Sequence, residues 1–129
     1  IITSNNQIGL IDNQDALIGN KAYDLASLID DVRYKTSNTL KEKVYNYYLR
    51  TNKTLSGSKF KNDFDILSVV RNLKIIGIFM RLSERDSKKK YLKLIPYAWH
   101  MIDNRMNKNN VFYNLKSLLQ SNFPKSLSN

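Results

Sequence analysis

Asp12 and Asp15 stand three residues apart in the string LIDNQDALIGNKAYDLASL, residues 10 to 28, with Asp24 further along it. In this sequence they are the residues whose type and spacing best suit chemistry. An aspartate at the end of an apolar strand projects its carboxylate where the chain leaves the sheet, while the ladder still holds its backbone. Mg²⁺ takes one or two such rigid oxygen ligands and leaves its other positions to phosphate and water. Asp12 has that placement after Leu10 and Ile11. Asp15 could join it or cap the turn, and Gly19 permits a left-handed backbone in the loop that follows. Two aspartates in a loop are, as bare chemistry, common.

The elements that must position them follow from the hydrophobic pattern. Residues 1 to 12 read as a β-hairpin around Ser4, Asn5 and Asn6, ending at Asp12. A lone hairpin is marginal in water, and the chain has no initiator methionine. Both point to a piece of a larger protein, cut just before or within a sheet. Beyond Asp12 the pattern turns helical. Ala22, Leu25, Leu28, Ile29 and Val32 share one face of a helix over about Lys21 to Arg33. A second helix is expected from Asn38 as N-cap, burying Leu40, Val44, Tyr47 and Tyr48. Residues 51 to 58 read as a loop.

The longest periodic segment runs from Phe60 to Arg85 and is apolar around most of its circumference between Ile66 and Leu82, as expected of a central helix. Arg71, Lys74, Arg81 and Arg85 share a stripe, read as its solvent edge, with a basic face toward a phosphorylated ligand as the other reading. Gly77 within it implies close approach by a neighbour. Asp86 to Lys90 is a charged connector. Pro96 opens a further helix to Met106. A last amphipathic helix carries Val111, Phe112, Leu115, Leu118, Leu119 and Phe123, and residues 124 to 129 form a frayed tail.

Composition narrows the classes. A chain of 129 residues makes one domain, and 42% hydrophobic content argues against global disorder. The absence of cysteine excludes disulfides, thiolate metal sites and thiol nucleophiles, and fits a cytoplasmic location. The longest apolar run, six residues from Ile75 to Met80, cannot span a bilayer. Residues 1 to 33 hold two cations against five aspartates, a net of −3, so the remainder carries +13 within a total of +10. A basic body with one carboxylate-rich end can attract phosphates and keep a place for a hard cation. His100, the one histidine, has no partners in sequence that would make it a metal ligand or a catalyst.

As a string, residues 10 to 28 are specific. IDNQDALIG followed by AYDLASL resembles the metal-binding segment of the aminoglycoside phosphotransferase family, which has the protein-kinase-like fold. RNLKIIGIFMRL at residues 71 to 82 and YLKLIPYAW at residues 91 to 99 resemble the branch of that family that phosphorylates the anomeric hydroxyl of N-acetylmuramate and N-acetylglucosamine. The resemblance implies a mainly α chain with a short N-terminal β-hairpin, the helical C-terminal lobe of a kinase-like fold. It implies that Asp12 occupies the DFG aspartate's place and holds Mg²⁺ on the ATP phosphates, that Asp15 is the second acidic position, and that Asp24 orients the catalytic loop. Asn13 departs from the pattern, which has an aromatic residue there.

The family's catalytic loop and ATP-holding N-terminal lobe have no counterpart in the sequence, and its four glycines form no phosphate loop. The resemblance therefore implies that the missing N-terminal part of the same protein is the chain's first partner. It also implies an amino-sugar substrate, with Mg²⁺ and ATP as cofactors of the complete enzyme. Alone, the chain is expected to be inactive and to self-associate through its uncovered hairpin edge. The competing class is a basic helical module for nucleic acid or an anionic partner, suggested by a pI near 9.8. It lacks any zinc-finger, basic-zipper or RNP signature.

Overall fold

The computed structural model describes residues 18–55 and 57–123. The expected hairpin over residues 1 to 12, with Asp12, and the tail over residues 124 to 129 lie outside them. Among the described residues there are five α-helices and no strand: α1 Ala22–Ile29, α2 Asn38–Thr51, α3 Gly57–Arg85, α4 Ile95–Met106 and α5 Tyr113–Asn122. Short 3₁₀ segments, Lys89–Leu94 and Asn110–Phe112, lead into α4 and α5.

α3, 29 residues long, is the spine against which α1, α4 and the first 3₁₀ segment pack. Its two halves serve different apolar clusters. Phe60 and Phe64 meet Ala22, Leu25, Ala26 and Ile29 of α1, with Tyr45 and Tyr48 of α2 half-buried against them. Val69 and Phe79 join Ile95, Ala98, Trp99 and Ile102 of α4, with Phe112 and Leu119 closing the far side. A fully buried side chain such as Phe64 or Ile102 contributes about 1.5–3 kcal/mol relative to an exposed one. α4 follows the sequence pattern closely, with Pro96 in its first turn, where a missing N–H costs nothing.

Four expectations are corrected. α1 stops at Ile29 instead of reaching Arg33, and Asp30 leaves helical geometry at φ −107° and ψ 39°. Consecutive aspartates at a helix C-terminus oppose its dipole, and Asp31 instead folds back to accept the Arg33 backbone N–H at 2.9 Å. Leu28 is consequently exposed while Val32 is buried. The N-cap of α2 is Ser37, whose hydroxyl accepts the Leu40 N–H, and not Asn38. The inward face of α2 is Lys41, Val44, Tyr45, Tyr48 and Leu49, so Leu40 and Tyr47 point to solvent. In the last segment Val111 and Leu118 are likewise exposed, because only a narrow strip of α5 reaches the core.

The fourth correction concerns Gly77. It lies on the exposed side of α3, and a Cβ there would meet nothing within 4 Å among the described residues. The stripe reading fares better: Lys74, Arg81 and Arg85 are exposed, and Arg71 is half-buried. After α3, Ser87 adopts a left-handed φ of 52° and the Lys88 N–H turns back to the Leu82 carbonyl. With no close neighbour to clash, Gly77→Ala should stabilise the fold by about 1 kcal/mol through helix propensity. A urea midpoint unchanged or lowered in that variant would contradict the open surroundings of Gly77.

Candidate functional site

The sequence-derived candidates divide. Asp12 and Asp15 lie outside the described residues. Asp24 sits exposed in the first turn of α1, where the helix dipole favours an acid, and takes no hydrogen bond among the described residues. The start of α1 is fixed by Asn20, which the motif reading overlooked. Its carboxamide oxygen accepts the Ala22 N–H at 2.9 Å, and its amide donates to Asp63 of α3 at 2.9 Å.

The densest polar assembly lies at the other end of α1. Asp30 and Asp65 are almost fully buried, and Arg105 from the last turn of α4 reaches both. Its Nη2 and Nε donate to one Asp30 oxygen at 2.9 and 3.1 Å, and its Nη1 lies 3.5 Å from Asp65. The Ser68 hydroxyl donates to the same Asp30 oxygen at 2.6 Å, and Lys41 of α2 takes the other at 3.0 Å. Lys61 donates to Asp65 at 2.7 Å. The guanidinium also lies 4.6 Å from the centre of the Phe64 ring, a cation–π contact. Burial pushes the Asp30 carboxyl upward, but Arg105, Ser68 and Lys41 together outweigh it and hold the group below the usual carboxylate range.

Beside this assembly opens a cleft of about 310 Å³. Its walls are the end of α1, the inner face of α2, the first half of α3 and the end of α4. Tyr45 stands on the α2 wall, its ring edge-on to Phe64 at 5.1 Å. Its hydroxyl is buried and has no hydrogen-bond partner among the described residues. Burial, reinforced by the charge of Asp65 and only partly offset by Arg105, pushes the phenol upward, so it stays protonated at neutral pH.

Other candidates are accounted for locally. His100 is exposed, hydrogen-bonded to Asn104 at 2.9 Å and stacked near Tyr97. Of the basic stripe, Arg85 pairs with Asp86 at 2.7 Å and Arg71 lies 3.4 Å from the Asp30 carbonyl. Among the described residues no group of three or more acidic, histidine or cysteine side chains could hold a metal ion. No helix among them is long and apolar enough to cross a membrane.

Over 97 residues the chain is 32% identical to a protein of Caulobacter vibrioides named N-acetylmuramate/N-acetylglucosamine kinase. The chain resembles part of a sugar kinase. That match takes in 75% of this chain and 27% of the relative. A protein of the same name from Pseudomonas aeruginosa is 30% identical over 120 residues, 88% of this chain and 35% of that protein. One from Neisseria meningitidis serogroup B is 36% identical over 95 residues, 68% of this chain and 28% of that protein. The chain thus spans roughly a third or less of the length of the curated relatives it matches. No family model matches it, and no solved structure does.

Arg105→Ala should destabilise the fold by about 3 kcal/mol, because it leaves two buried carboxylates short of their shared cation. Arg33→Ala, which removes an exposed partner of Asp31, should cost less than about 1 kcal/mol. Equal urea midpoints for the two variants would overturn that ranking. The sign with pH follows from Asp30. Its folded value is depressed, so its contribution is complete above about pH 4 and fades as pH falls through the folded value. Thermal melts should therefore drop steeply below about pH 4; a flat profile there would exclude the ion pair as a determinant.

Proposed function

We propose that this chain forms part of an ATP-dependent phosphotransferase that phosphorylates an amino-sugar hydroxyl, of the N-acetylmuramate or N-acetylglucosamine type. The observation that carries this reading is the similarity, over 68 to 88% of the chain, to relatives that all bear that one name. The string IDNQDALIG with AYDLASL supports the same class, and so does the charge layout. A +13 body would repel a polycationic aminoglycoside and tolerate a sugar bearing a carboxylate.

In this reading the helices belong to the C-terminal lobe of a kinase-like fold, and the rest of the enzyme supplies the base and the ATP-holding lobe. The sugar oxygen attacks the γ-phosphorus, the bond from that phosphorus to the β,γ-bridging oxygen breaks, and ADP departs. Asp12, with Asp15 beside it, offers the hard oxygen ligands that suit Mg²⁺, and bound Mg²⁺ would neutralise charge on the phosphates. Asp24, at the exposed start of α1, would steady the catalytic loop.

In the complete enzyme Asp12→Asn should leave the circular-dichroism spectrum near wild type and lower kcat by at least about 10²-fold, since a charged group acting on the transition state is removed. Retained turnover would remove the metal assignment. Offered N-acetylmuramate, N-acetylglucosamine, choline, homoserine and kanamycin, the enzyme should favour the amino sugars by kcat/KM. Preference for kanamycin would reverse the substrate assignment and leave the kinase class standing. Salt-sensitive binding of labelled nucleic acid without phosphoryl transfer would favour a basic binding module.

A further inference from the structure

We propose that the open flank of α3, a stripe of Ile66, Val70, Leu73, Gly77 and Met80, is the docking face for one amphipathic helix with an acidic border, supplied by the part of the enzyme that lies outside this chain. The source of that helix rests on the reading above that the chain is part of a larger kinase. The seam itself does not.

Spacing comes first. From Ile66 the five positions alternate four and three residues apart, and Glu84 continues the alternation as the acidic end of the stripe. That is the repeat with which one helix seats along another. The elements packed on α3, namely α1, α4 and the first 3₁₀ segment, leave the stripe open. Val70 is 55% exposed and Met80 42%, while Ile66 and Leu73 are half-buried at the edge of the apolar cluster shared with α4. A helix that is apolar around most of its circumference belongs inside a core. α3 is such a helix between Ile66 and Leu82, and a second helix on this flank would carry the same cluster across the seam.

Gly77 sets the depth of the seat. It lies in the middle of the seam, exposed, and a Cβ there would meet nothing within 4 Å among the described residues. With no side chain in the way, the axis of a second helix can come to about 8 Å, the near end of the range for packed helices. From Ile66 to Glu84 the seam runs about 27 Å, the length of a helix of about eighteen residues.

Charge then selects the occupant. Lys74 and Arg81 each stand one residue beyond a seam position and so share one border of it. Both are exposed, and neither makes an ion pair among the described residues. The facing helix therefore needs aspartate or glutamate along that border. A second copy would bring its own Lys74 and Arg81 and a net charge of +10, so like charges oppose self-pairing. A phosphorylated ligand would meet the two cations and leave the apolar seam in water. The chain matches only 27 to 35% of the length of its relatives, which leaves ample sequence to furnish such a helix.

The chain has no cysteine, so single cysteines can test the seam. Val70→Cys and Met80→Cys should react with a maleimide at least about ten-fold more slowly in the complete enzyme than in the chain alone, as a covered thiol does. Lys53→Cys, in the exposed loop before α3, should react alike in both. In the complete enzyme a zero-length carbodiimide should join Lys74 to an aspartate or glutamate outside residues 1–129. Gly77→Leu should raise the urea midpoint of the chain through helix propensity and lower that of the complete enzyme, where the side chain takes the space of the second helix. Unchanged labelling at the two seam positions, no Lys74 link to outside sequence, or a raised midpoint in both proteins would overturn the assignment. A Lys74 link to Asp12, Asp15 or an isotope-labelled second copy would do so too. Amino-sugar phosphorylation by an enzyme whose seam labels freely would sink the docking face and keep the kinase. A covered seam in a protein that phosphorylates no sugar would do the reverse.

Discussion

The pairing of Asp30 with Arg105 is the constraint around which the rest of the molecule is arranged. Two carboxylates, Asp30 and Asp65, are taken almost wholly out of water, and an uncompensated buried charge is among the costliest features a small domain can carry. One guanidinium reaching both resolves the problem geometrically. The chain must leave helical geometry at Asp30, α3 must present Asp65 and Ser68 on one stripe, and α4 must end with Arg105 beside them. Lys41 from α2 and Lys61 from α3 complete the balance. These ions lie on the walls of a cleft bordered by Ile29 and Phe64 of one apolar cluster and by Met101 of the other.

That placement gives the polar layer two roles at once. It ties α1, α3 and α4 to one another, and it borders the cleft. A wall made of ion pairs is stiffer than one made of mobile lysines, since each head group is held by a partner. It also cancels most of its own charge.

Much of the helical frame was legible in the sequence. The apolar run of α3 and the proline that opens α4 announced those elements within a few residues, because helical period and the missing proline N–H act locally. The stripe of Lys74, Arg81 and Arg85 was legible for the same reason. The end of α1 was not: Asp30 looks like any polar residue at a helix end until Arg105, 75 residues away, is brought beside it. The inner face of α2 was misjudged because apolar character favoured Leu40 and Tyr47, whereas the cleft draws in Lys41 and Tyr45. Gly77 invited a packing explanation that its open surroundings do not need. The proposal for the carboxylates at residues 12 and 15 rests on a string of neighbours in sequence. The cleft, built from four separate elements, left no local signature.

The same long-range pairing bears on how the chain is made. Synthesis delivers α1 first and the arginine of α4 some 75 residues later, several seconds at ordinary elongation rates. During that interval α1 and the first half of α3 can collapse on Phe60 and Phe64, but Asp30 and Asp65 have only the two lysines to face and remain better hydrated than buried. The full set of partners for these two carboxylates exists only once the segment that follows Pro96 has emerged. The charge balance of the amino-terminal cluster is therefore completed by one of the last side chains of the described residues to be made.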